Sequence, residues 1–143
     1  MIFRNHAIGE SVRLTIPSDF AAAREFQQQI DDSLEEFGWS DSDRYSVRLA
    51  LEEALINAIR HGNRLDPKAR VSIQFCVESD SVEVRISDQG PGFCPESVPN
   101  PLLPENLERP SGRGLLLIRC SMCRVEFRDG GRTIVMCRNR RSW

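Results

Sequence analysis

The sequence predicts an α+β domain in which a mixed, largely antiparallel sheet carries its helices on one face. Three observations support this fold class. Short runs with strand-like alternation lie at 11–16 and again from residue 71 onward, two long helical periodicities separate them, and the later strands come in hairpin-like pairs. The predicted order is strand, two helices, two strands, long loop, short helix and two strands. At 143 residues the chain is expected to be one domain, 1–143, with a core at about 11–138.

The first part of the chain predicts a strand and a long helix. Apolar residues alternate over 11–16, and Pro17 ends that strand. Ser18 is the expected N-cap of a helix that runs to about Phe37, where Gly38 stops it. The apolar residues expected on its buried face are Phe20, Ala23, Phe26 and Ile30.

A second helix is predicted from the region of Ser40 to Ser42 as far as about His61. Gly62 supplies its C-terminal stop, and the pair Asp66-Pro67 then breaks the chain. The residues expected to make its apolar contacts are Tyr45, Leu49, Ile56 and Ile59.

The next segment predicts a β-hairpin followed by a long loop. Apolar residues alternate over 71–75 and 82–86, with a polar stretch at 78–81 between them. Residues 89–114 are rich in proline and glycine. A loop of more than ~15 residues in a compact domain is usually functional or disordered.

The last segment predicts a short helix and a second hairpin. The helix covers about 115–122, and Val125 and Phe127 begin the strand that follows it. Asp129-Gly130-Gly131 makes a tight turn, after which alternation from Thr133 to Cys137 indicates the returning strand.

Charge and hydropathy exclude several classes of protein. The chain has 19 basic and 21 acidic residues, whereas a nucleic-acid-binding protein normally has a strong basic excess. The basic residues near the end, Arg138, Arg140 and Arg141, are expected to form a solvated tail. Residues 1–16 contain no unbroken apolar run, so no signal peptide is expected, and no stretch approaches the ~20 apolar residues of a membrane span. A soluble cytoplasmic protein is therefore expected.

The five cysteines predict reduced thiols, because no secretion signal accompanies them. Cys120 and Cys123 have the spacing of a CxxC pair, which leaves a zinc or redox role open as an alternative. Zinc would need a second pair of ligands at comparable spacing, and none is present. Buried thiols that act as small apolar side chains are the preferred interpretation.

The first candidate functional segment is 52–63, in the second predicted helix. Glu53 and Asn57 are four residues apart, so their side chains lie on one face of that helix. A carboxylate can take a proton from a hydroxyl, and an amide oxygen can bind Mg²⁺ without adding charge beside phosphates. The alternative is a solvated helix face on which Arg60 is an ion-pair partner.

The second candidate segment is 88–93, directly after a predicted strand. Gly90 and Gly92 permit a tight turn and the close approach of a ligand to the backbone. Asp88, at the end of the strand, could accept a hydrogen bond from an exocyclic amine such as that of adenine. A plain turn is the alternative.

The third candidate segment is 111–118, where Gly112 and Gly114 open a helix. Free N–H groups at a helix N-terminus bind anions such as phosphates, and Arg113 could add a charge-assisted contact. The chain contains no GxxxxGK[ST] string, and no GxGxxG follows the first strand. Neither a P-loop nor a Rossmann dinucleotide fold is therefore expected.

Taken in order, the three segments resemble the ATP-binding signature of the GHKL superfamily, which includes gyrase-type ATPases, histidine kinases and DNA mismatch-repair proteins. The string from Glu53 to Gly62 is similar to that of the anti-sigma-factor serine kinases of the RsbW/SpoIIAB kind, and the similarity extends from about Ile16 to Met136. The resemblance implies the Bergerat ATP-binding fold, a two-layer α/β sandwich, with ATP and Mg²⁺ as cofactors.

The resemblance also implies roles for individual residues. Glu53 would be the general base that activates a serine hydroxyl, Asn57 would bind Mg²⁺ at the ATP phosphates, and Asp88 would read the adenine amino group. The residues expected around the nucleotide are Gly90 and Gly92 beneath the base, Gly112, Arg113, Gly114 and Leu115 at the phosphates, Thr133 with a hydroxyl near adenine, and Arg60 as a basic phosphate contact. The proline-rich stretch 94–111 would close over the nucleotide as a lid.

The activity implied by the resemblance is that of a protein serine kinase. His6 precedes a strand and not a helical hairpin, so a histidine autokinase is not expected, and gyrase-like or mismatch-repair enzymes would need further domains. The expected partners are a STAS-type anti-anti-sigma protein as substrate and a sigma factor that is bound in the ATP-loaded state. A homodimer is usual in such proteins. The alternative is an ATP-dependent protein clamp that does not transfer phosphate.

Overall fold

The computed structural model describes residues 11–92 and 113–140. Its strands are β1 (Val12–Pro17), β2 (Arg70–Val77), β3 (Ser81–Ser87), β4 (Arg124–Arg128) and β5 (Thr133–Asn139). Its helices are α1 (Phe20–Glu36), α2 (Asp41–Ile56) and α3 (Arg113–Ser121), with a π-helical turn (Asn57–Gly62) directly after α2 and a short 3₁₀ turn (Asp129–Gly131) between β4 and β5. None of these described helices has both the length and the apolar character that a membrane span requires.

The five strands form one sheet in the order β1-β2-β3-β5-β4. All neighbouring strands in it pair antiparallel. The α+β prediction is confirmed, although the mixed sheet it allowed for has no parallel pair among the described strands. Because Ser87 pairs with Thr133, the last residue of β3 and the first residue of β5 lie side by side at the same end of the strands. The glycine-rich loop begins at this end of the sheet.

The core lies between the three helices and one face of the sheet. Phe26 of α1 packs edge-on against Phe75 of β2, with their ring centroids 5.7 Å apart. Each such large apolar side chain contributes roughly 1.5–3 kcal/mol when it is fully buried. The other large buried residues in this cluster include Ile30, Leu34, Leu51, Leu55, Ile59, Ile86, Ile118 and Met136.

Helix α1 begins one residue later than the sequence suggested. The N-cap is Asp19, whose carboxylate accepts from the backbone N–H of Ala22 at 2.7 Å. The prediction of Ser18 was wrong because the Ser18 hydroxyl accepts instead from the Asn63 side chain. The predicted stop at Gly38 is confirmed: its φ of 78° is the left-handed conformation that glycine adopts readily.

Helix α2 has the predicted start, since Ser40 caps it by accepting from the Asp43 N–H at 3.1 Å. The predicted apolar face was largely wrong, because Tyr45 is 59% exposed. Leu49 and Ile56 are only half-buried, and of the four only Ile59 is in the core. The buried stripe consists of Val47, Ala50, Leu51, Ala54 and Leu55. Both sets satisfy helical spacing, and small alanines permit the closer approach of the helix to its neighbours.

The end of α2 differs from the expected α-helical stop. After Ile56 the chain widens into the π-helical turn, in which the Asn63 N–H bonds to the Ala58 carbonyl five residues earlier, at 2.8 Å. Gly62 is not in the left-handed conformation, so it does not end the helix in the way that Gly38 does. Single π-helical turns inside α-helices occur frequently at functional sites.

The prediction of a solvated tail was wrong for Arg138 and Arg140, which make structural contacts, and Arg141 lies outside the described residues. Arg138 is 6% exposed. Its guanidinium bonds to the Asp43 carboxylate and to the Ser121 carbonyl, each at 2.7 Å. These contacts join β5 to the first turn of α2 and to the last residue of α3. Arg140 bonds to the carbonyls of Phe37 and Ser79, at 3.1 and 3.2 Å.

The four cysteines in the described part of the chain are less buried than expected, and Cys94 lies outside it. Cys120 and Cys123 are exposed, so they do not act as buried apolar side chains. Cys76 and Cys137 are half-buried, and this burial raises the pKa of both thiols. Within residues 11–92 and 113–140, no group of three or more His, Cys, Asp and Glu side chains could hold a metal ion.

Candidate functional site

Two of the three candidate segments meet where α2 and α3 pack together. A Cβ added to Gly114 would lie 2.6 Å from Oε2 of Glu53 and 3.8 Å from Nδ2 of Asn57. Glu53 and Asn57 are half-buried neighbours at the end of α2, and Gly114 is in the first turn of α3. A side chain at Gly114 would therefore displace the end of the Glu53 side chain from its present position.

The N-terminus of α3 gives this meeting point a favourable field for negative charge. Helix dipoles place roughly half a positive charge at that end, together with N–H groups that have no partner in the helix. Leu115 is half-buried in the same first turn. Gly112, the side chain of Arg113 and the lid 94–111 lie outside the described residues, so their expected roles stay predictions.

The second candidate segment, described as far as Gly92, forms a tightly packed turn directly after β3. A Cβ on Gly62 would lie 2.2 Å from Cγ of Asp88, and a Cβ on Gly90 would lie 2.0 Å from the Gly62 carbonyl oxygen. The Gly90 N–H also donates to Oδ1 of Asp88 at 2.8 Å. Gly62 and Gly90 are therefore required for space, because the end of the π-helical turn presses directly on the Asp88 carboxylate.

The Asp88 carboxylate lies in a partly desolvated environment. Burial raises its pKa, while the Gly90 N–H bond and the charge of Arg132 act in the opposite direction. The Asp88 backbone N–H donates to the Arg132 carbonyl at 3.0 Å, and this bond joins the turn to the start of β5. The Asp88 carboxylate is thus a half-buried acceptor at the end of β3, suited to an N–H donor of a ligand.

The second glycine of the segment packs against the β4–β5 turn. Gly92 has a φ of +82°, and a Cβ there would lie 2.1 Å from the Gly130 carbonyl oxygen. Both the backbone conformation and the close contact therefore require glycine. The glycine-rich loop is thus held against two separate turns, by Gly90 on one side and by Gly92 on the other.

Thr133, the first residue of β5, lies at the same end of the strands as Asp88. Its side chain is buried, with Oγ1 donating to Oδ2 of Asp129 at 2.8 Å and lying 2.7 Å from Oγ of Ser87. The Thr133 hydroxyl is therefore close to Asp88 along the sheet, because Ser87, the strand partner of Thr133, directly precedes Asp88. It is already engaged with its protein neighbours.

Arg60 extends from the π-helical turn towards the start of α1. Its guanidinium carbon lies 5.6 Å from the centroid of the Phe20 ring, within the range of a cation–π contact. The alternative interpretation had Arg60 pairing with a carboxylate on a solvated helix face. Within the described residues, the structure places this exposed guanidinium over an aromatic ring and not against a carboxylate.

Sequence reasoning missed Asn63. This residue is 6% exposed, and its side chain bonds to the Gln89 N–H at 2.8 Å, to the Ser18 hydroxyl at 3.1 Å and to the Arg70 carbonyl at 3.0 Å. Its place directly after Gly62 marks it only as a loop residue. No local pattern indicates a contact with a residue 26 positions later in the chain.

A cleft of about 480 Å³ borders the Asp88 turn. It lies between the loop that follows the π-helical turn and residues 89–91, and its lining includes Arg64 and Lys68. Glu53, Asn57 and Asp88 do not line it. The cleft is therefore next to the region where the three segments converge, and not the same space.

Comparison with known proteins identifies the family of this site. The family model described as the histidine kinase-like ATPase domain matches residues 16–138. The chain belongs to this family. The resemblance of the three segments to a GHKL signature is thereby confirmed, and the α+β architecture is that of a histidine kinase-like ATPase domain.

Relatives of this ATPase domain include several proteins named serine-protein kinase RsbW. The chain is 31% identical over 106 residues to that of Bacillus licheniformis, covering 69% of this chain and 66% of the relative. It is 30% identical over 97 residues to one from Listeria monocytogenes, covering 63% and 62%. It is 29% identical over 133 residues to that of Staphylococcus epidermidis, covering 87% and 75%. The matches to the first two therefore span slightly less than two thirds of those proteins.

A solved structure has the same fold as this ATPase domain. The crystal structure of the RsbU and RsbW domains of Rv1364c from Mycobacterium tuberculosis superposes with a TM-score of 0.61. The match covers 92% of this chain and 32% of that one, at 19% sequence identity. At this identity the similarity shows the fold alone.

Proposed function

We propose that this chain is an ATP-dependent serine protein kinase and anti-sigma factor. It phosphorylates a serine of a STAS-type anti-anti-sigma protein and binds a sigma factor when it is loaded with ATP. The observation that carries the proposal is the meeting of Glu53 and Asn57 with Gly114 at the N-terminus of α3. A proton acceptor, a candidate metal ligand and an anion-binding helix end occur there together. The RsbW relatives support the same class of activity.

The proposed reaction is transfer of the γ-phosphoryl group of ATP. The serine oxygen of the partner bonds to the γ-phosphorus, the bond to the β–γ bridging oxygen breaks, and ADP leaves. Glu53 takes the proton of the serine hydroxyl as that bond forms. Because phosphoryl transfer depends mainly on alignment and charge stabilisation, the nearby N-terminus of α3 contributes by stabilising negative charge.

The residues present are compatible with Mg²⁺. This ion is commonly held by one or two protein oxygens together with substrate phosphates, and the Asn57 amide can supply one such oxygen next to Glu53. Asn57 would therefore hold the ion. Bound there, the ion would neutralise part of the phosphate charge.

The remaining site residues have proposed roles in holding the nucleotide. Asp88 accepts a hydrogen bond from the adenine amino group, Gly90 and Gly92 give the base a surface without side chains, and Thr133 contributes a hydroxyl nearby. The residues proposed at the phosphates are Arg60, Gly112, Arg113, Gly114 and Leu115, with the lid 94–111 closing over them. The proposal also makes the protein a cytoplasmic homodimer that binds neither nucleic acid nor membranes.

A labelling experiment tests the proposed kinase activity. The purified chain is incubated with radiolabelled ATP, Mg²⁺ and a STAS-domain protein from the same genome, and labelled partner is measured over time. Glu53→Gln removes the base without changing the size of the side chain, so labelling should slow by about 10²–10⁴-fold while ATP affinity is retained. Glu52→Gln, at the exposed neighbouring position, is the matched control and should change neither.

Two results would contradict this assignment. Equal labelling by the wild type and Glu53→Gln would remove Glu53 as the base. ATP-dependent capture of the partner without any labelling would replace the kinase with the alternative protein clamp.

A further inference from the structure

The turn at 88–92 needs support from outside itself. Two of its five residues are glycines, and the cleft of about 480 Å³ opens beside Gln89, Gly90 and Pro91. The lining of that cleft also includes Gly62 and Asn63, which belong to the segment that follows α2. Contacts from that segment therefore have to fix the direction in which Asp88 points.

Asn63 is placed to provide that support. Its carbonyl oxygen accepts from the Gln89 N–H at 2.8 Å, and its amide nitrogen donates to both the Ser18 hydroxyl and the Arg70 carbonyl. One buried amide thus joins the turn to the β1–α1 junction and to the first residue of β2. Both of its N–H donors and its acceptor oxygen are used.

Gln89 closes the same network from the other side. Its side-chain oxygen accepts from the Arg70 N–H at 2.8 Å, while the Arg70 carbonyl accepts from Asn63. Both backbone groups of Arg70 are thereby bound by the two side chains. Asn63, Arg70 and Gln89 thus form a closed ring of hydrogen bonds. This ring holds the turn at Gln89, the residue directly before Gly90.

The packing around this ring transmits its position to the Asp88 carboxylate. The Gly62 carbonyl fills the space where a Gly90 side chain would be, and Gly62 itself touches the carboxylate of Asp88. A displacement of Gln89 and Gly90 therefore shifts both the Asp88 backbone and the Gly90 N–H that orients its Oδ1.

From this geometry we infer that Asn63 is a positioning residue for base recognition, which acts by fixing the Asp88 carboxylate through the Gln89 N–H. The inference rests on the proposed ATP site. An ionised carboxylate attracts the 6-amino group of adenine and repels the 6-oxo group of guanine. Because hydrogen bonds weaken steeply with poor geometry, the preference for adenine depends on how firmly that carboxylate is held.

The test combines one measurement without nucleotide and one with it. Amide hydrogen exchange at Gln89 is followed by NMR on the free protein, and ATP and GTP affinities are measured by calorimetry with Mg²⁺. Asn63→Ala should speed exchange at Gln89 and weaken ATP binding about tenfold, with GTP binding unchanged. Asn63→Asp keeps the acceptor for the Gln89 N–H but cannot donate to the Arg70 carbonyl when ionised, so it should retain most of the preference for ATP while it loses stability. Thermal melting of each variant establishes that it is folded before affinities are compared.

Ser18→Ala is the matched control for a merely structural role. It removes a partner of the same Asn63 amide, at a buried hydroxyl, and leaves the bond to Gln89 intact. It should lower thermal stability while keeping both the Gln89 exchange rate and the ratio of ATP to GTP affinity. A change in that ratio as large as in Asn63→Ala would reduce Asn63 to a structural residue.

Other outcomes separate this inference from the proposed function. Unchanged exchange at Gln89 in Asn63→Ala, or equal losses of ATP and GTP affinity, would overturn the positioning role. A wild-type protein that binds neither nucleotide would overturn the proposed ATP site instead, and the exchange rates would still decide whether Asn63 holds the turn.

Discussion

The two ends of α2 are built differently. At its N-terminal end, Asp43 is 1% exposed and its carboxylate pairs with the buried guanidinium of Arg138. At its C-terminal end, Glu53 and Asn57 are only half-buried, and the regular helix gives way to the π-helical turn. Polar groups at the first end bind one another, whereas those at the second end face the start of α3.

The difference shows how one helix can combine stability with a site. Arg138 also holds the last carbonyl of α3, at Ser121, while the first turn of α3 brings Gly114 against Glu53. The two helices therefore run antiparallel, with the ion pair at one end of their contact and the candidate site at the other. Firm contacts lie far from the chemistry, and the groups proposed to react are left accessible.

The largest expected effect comes from breaking the buried pair. Asp43→Ala leaves the Arg138 guanidinium buried without its carboxylate partner, which should lower the free energy of unfolding by about 3–5 kcal/mol in urea denaturation. The matched control is Glu83→Ala, because the Glu83–Arg124 pair is about half exposed on each side and should contribute no more than about 1 kcal/mol. Similar small losses in both variants would show that the first end of α2 is not the firm one.

A smaller effect on stability, with a large effect on binding, is expected from Gly62→Ala. The new Cβ would lie 2.2 Å from Cγ of Asp88, so the carboxylate must move. The strain should cost about 1–3 kcal/mol of unfolding free energy, and ATP affinity measured by calorimetry should fall at least about tenfold.

Gly38→Ala separates strain from displacement of the site. Gly38 has a φ of +78°, but a Cβ there meets only the side chain of Arg140, at 3.5 Å. This control should lose about 1–2 kcal/mol of stability from the left-handed backbone alone and retain ATP binding. Retention of full ATP affinity by Gly62→Ala would refute the close link between the π-helical turn and Asp88.

The smallest expected effect is on the pH dependence of ATP binding, through Asp88, which lies against the π-helical turn that follows α2. Because burial raises the pKa of Asp88, its carboxylate should protonate at a higher pH than an exposed aspartate. ATP affinity should therefore decline as the pH falls through that raised pKa, since the protonated group no longer offers a charged acceptor. Calorimetric titrations of the wild type and Asp88→Asn across the acidic range should show this extra decline only in the wild type.

The same shift fixes the sign for stability. The folded protein binds the Asp88 proton more tightly than the unfolded chain, so the stabilising contribution is complete below the unfolded pKa and is lost as pH rises through the folded pKa. Asp88→Asn should thus be slightly more stable than the wild type at neutral pH. A less stable variant would mean that the ionised carboxylate is favoured by its surroundings.

Much of the fold could be predicted because it depends on local pattern. Alternation located all five strands. Helical spacing identified Ala23, Phe26 and Ile30 as buried in α1, whereas Phe20 is only half-buried and the buried Leu34 was not predicted. The errors arose where distant residues decide. Arg138 was expected in solvent because nothing near it in sequence reveals Asp43, its partner 95 positions away. Ser18 was wrongly assigned to the α1 cap because local sequence does not reveal its bond to Asn63, which lies 45 positions later.

The candidate site divides in the same way. Glu53, Asn57, Asp88 and Gly114 were chosen because each chemical type stood in a helical or glycine-rich context that sequence alone reveals. Asn63 was missed because its role exists only once β2 and the turn at 88–92 are folded beside it. The role of Gly62 was misread for the same reason, since the close contact with Asp88 is a property of the assembled structure.

The π-helical turn also constrains any attempt to transplant this site. A regular α-helix advances 100° per residue, whereas the wider turn at 57–62 makes the residues after Ile56 fall behind that rotation. A graft that copied only the side chains onto a straight helix would point Gly62 in another direction and present a different residue to the carboxylate. The six-residue turn must therefore be moved as a unit, and an alignment that ignores it would displace the following loop by one position.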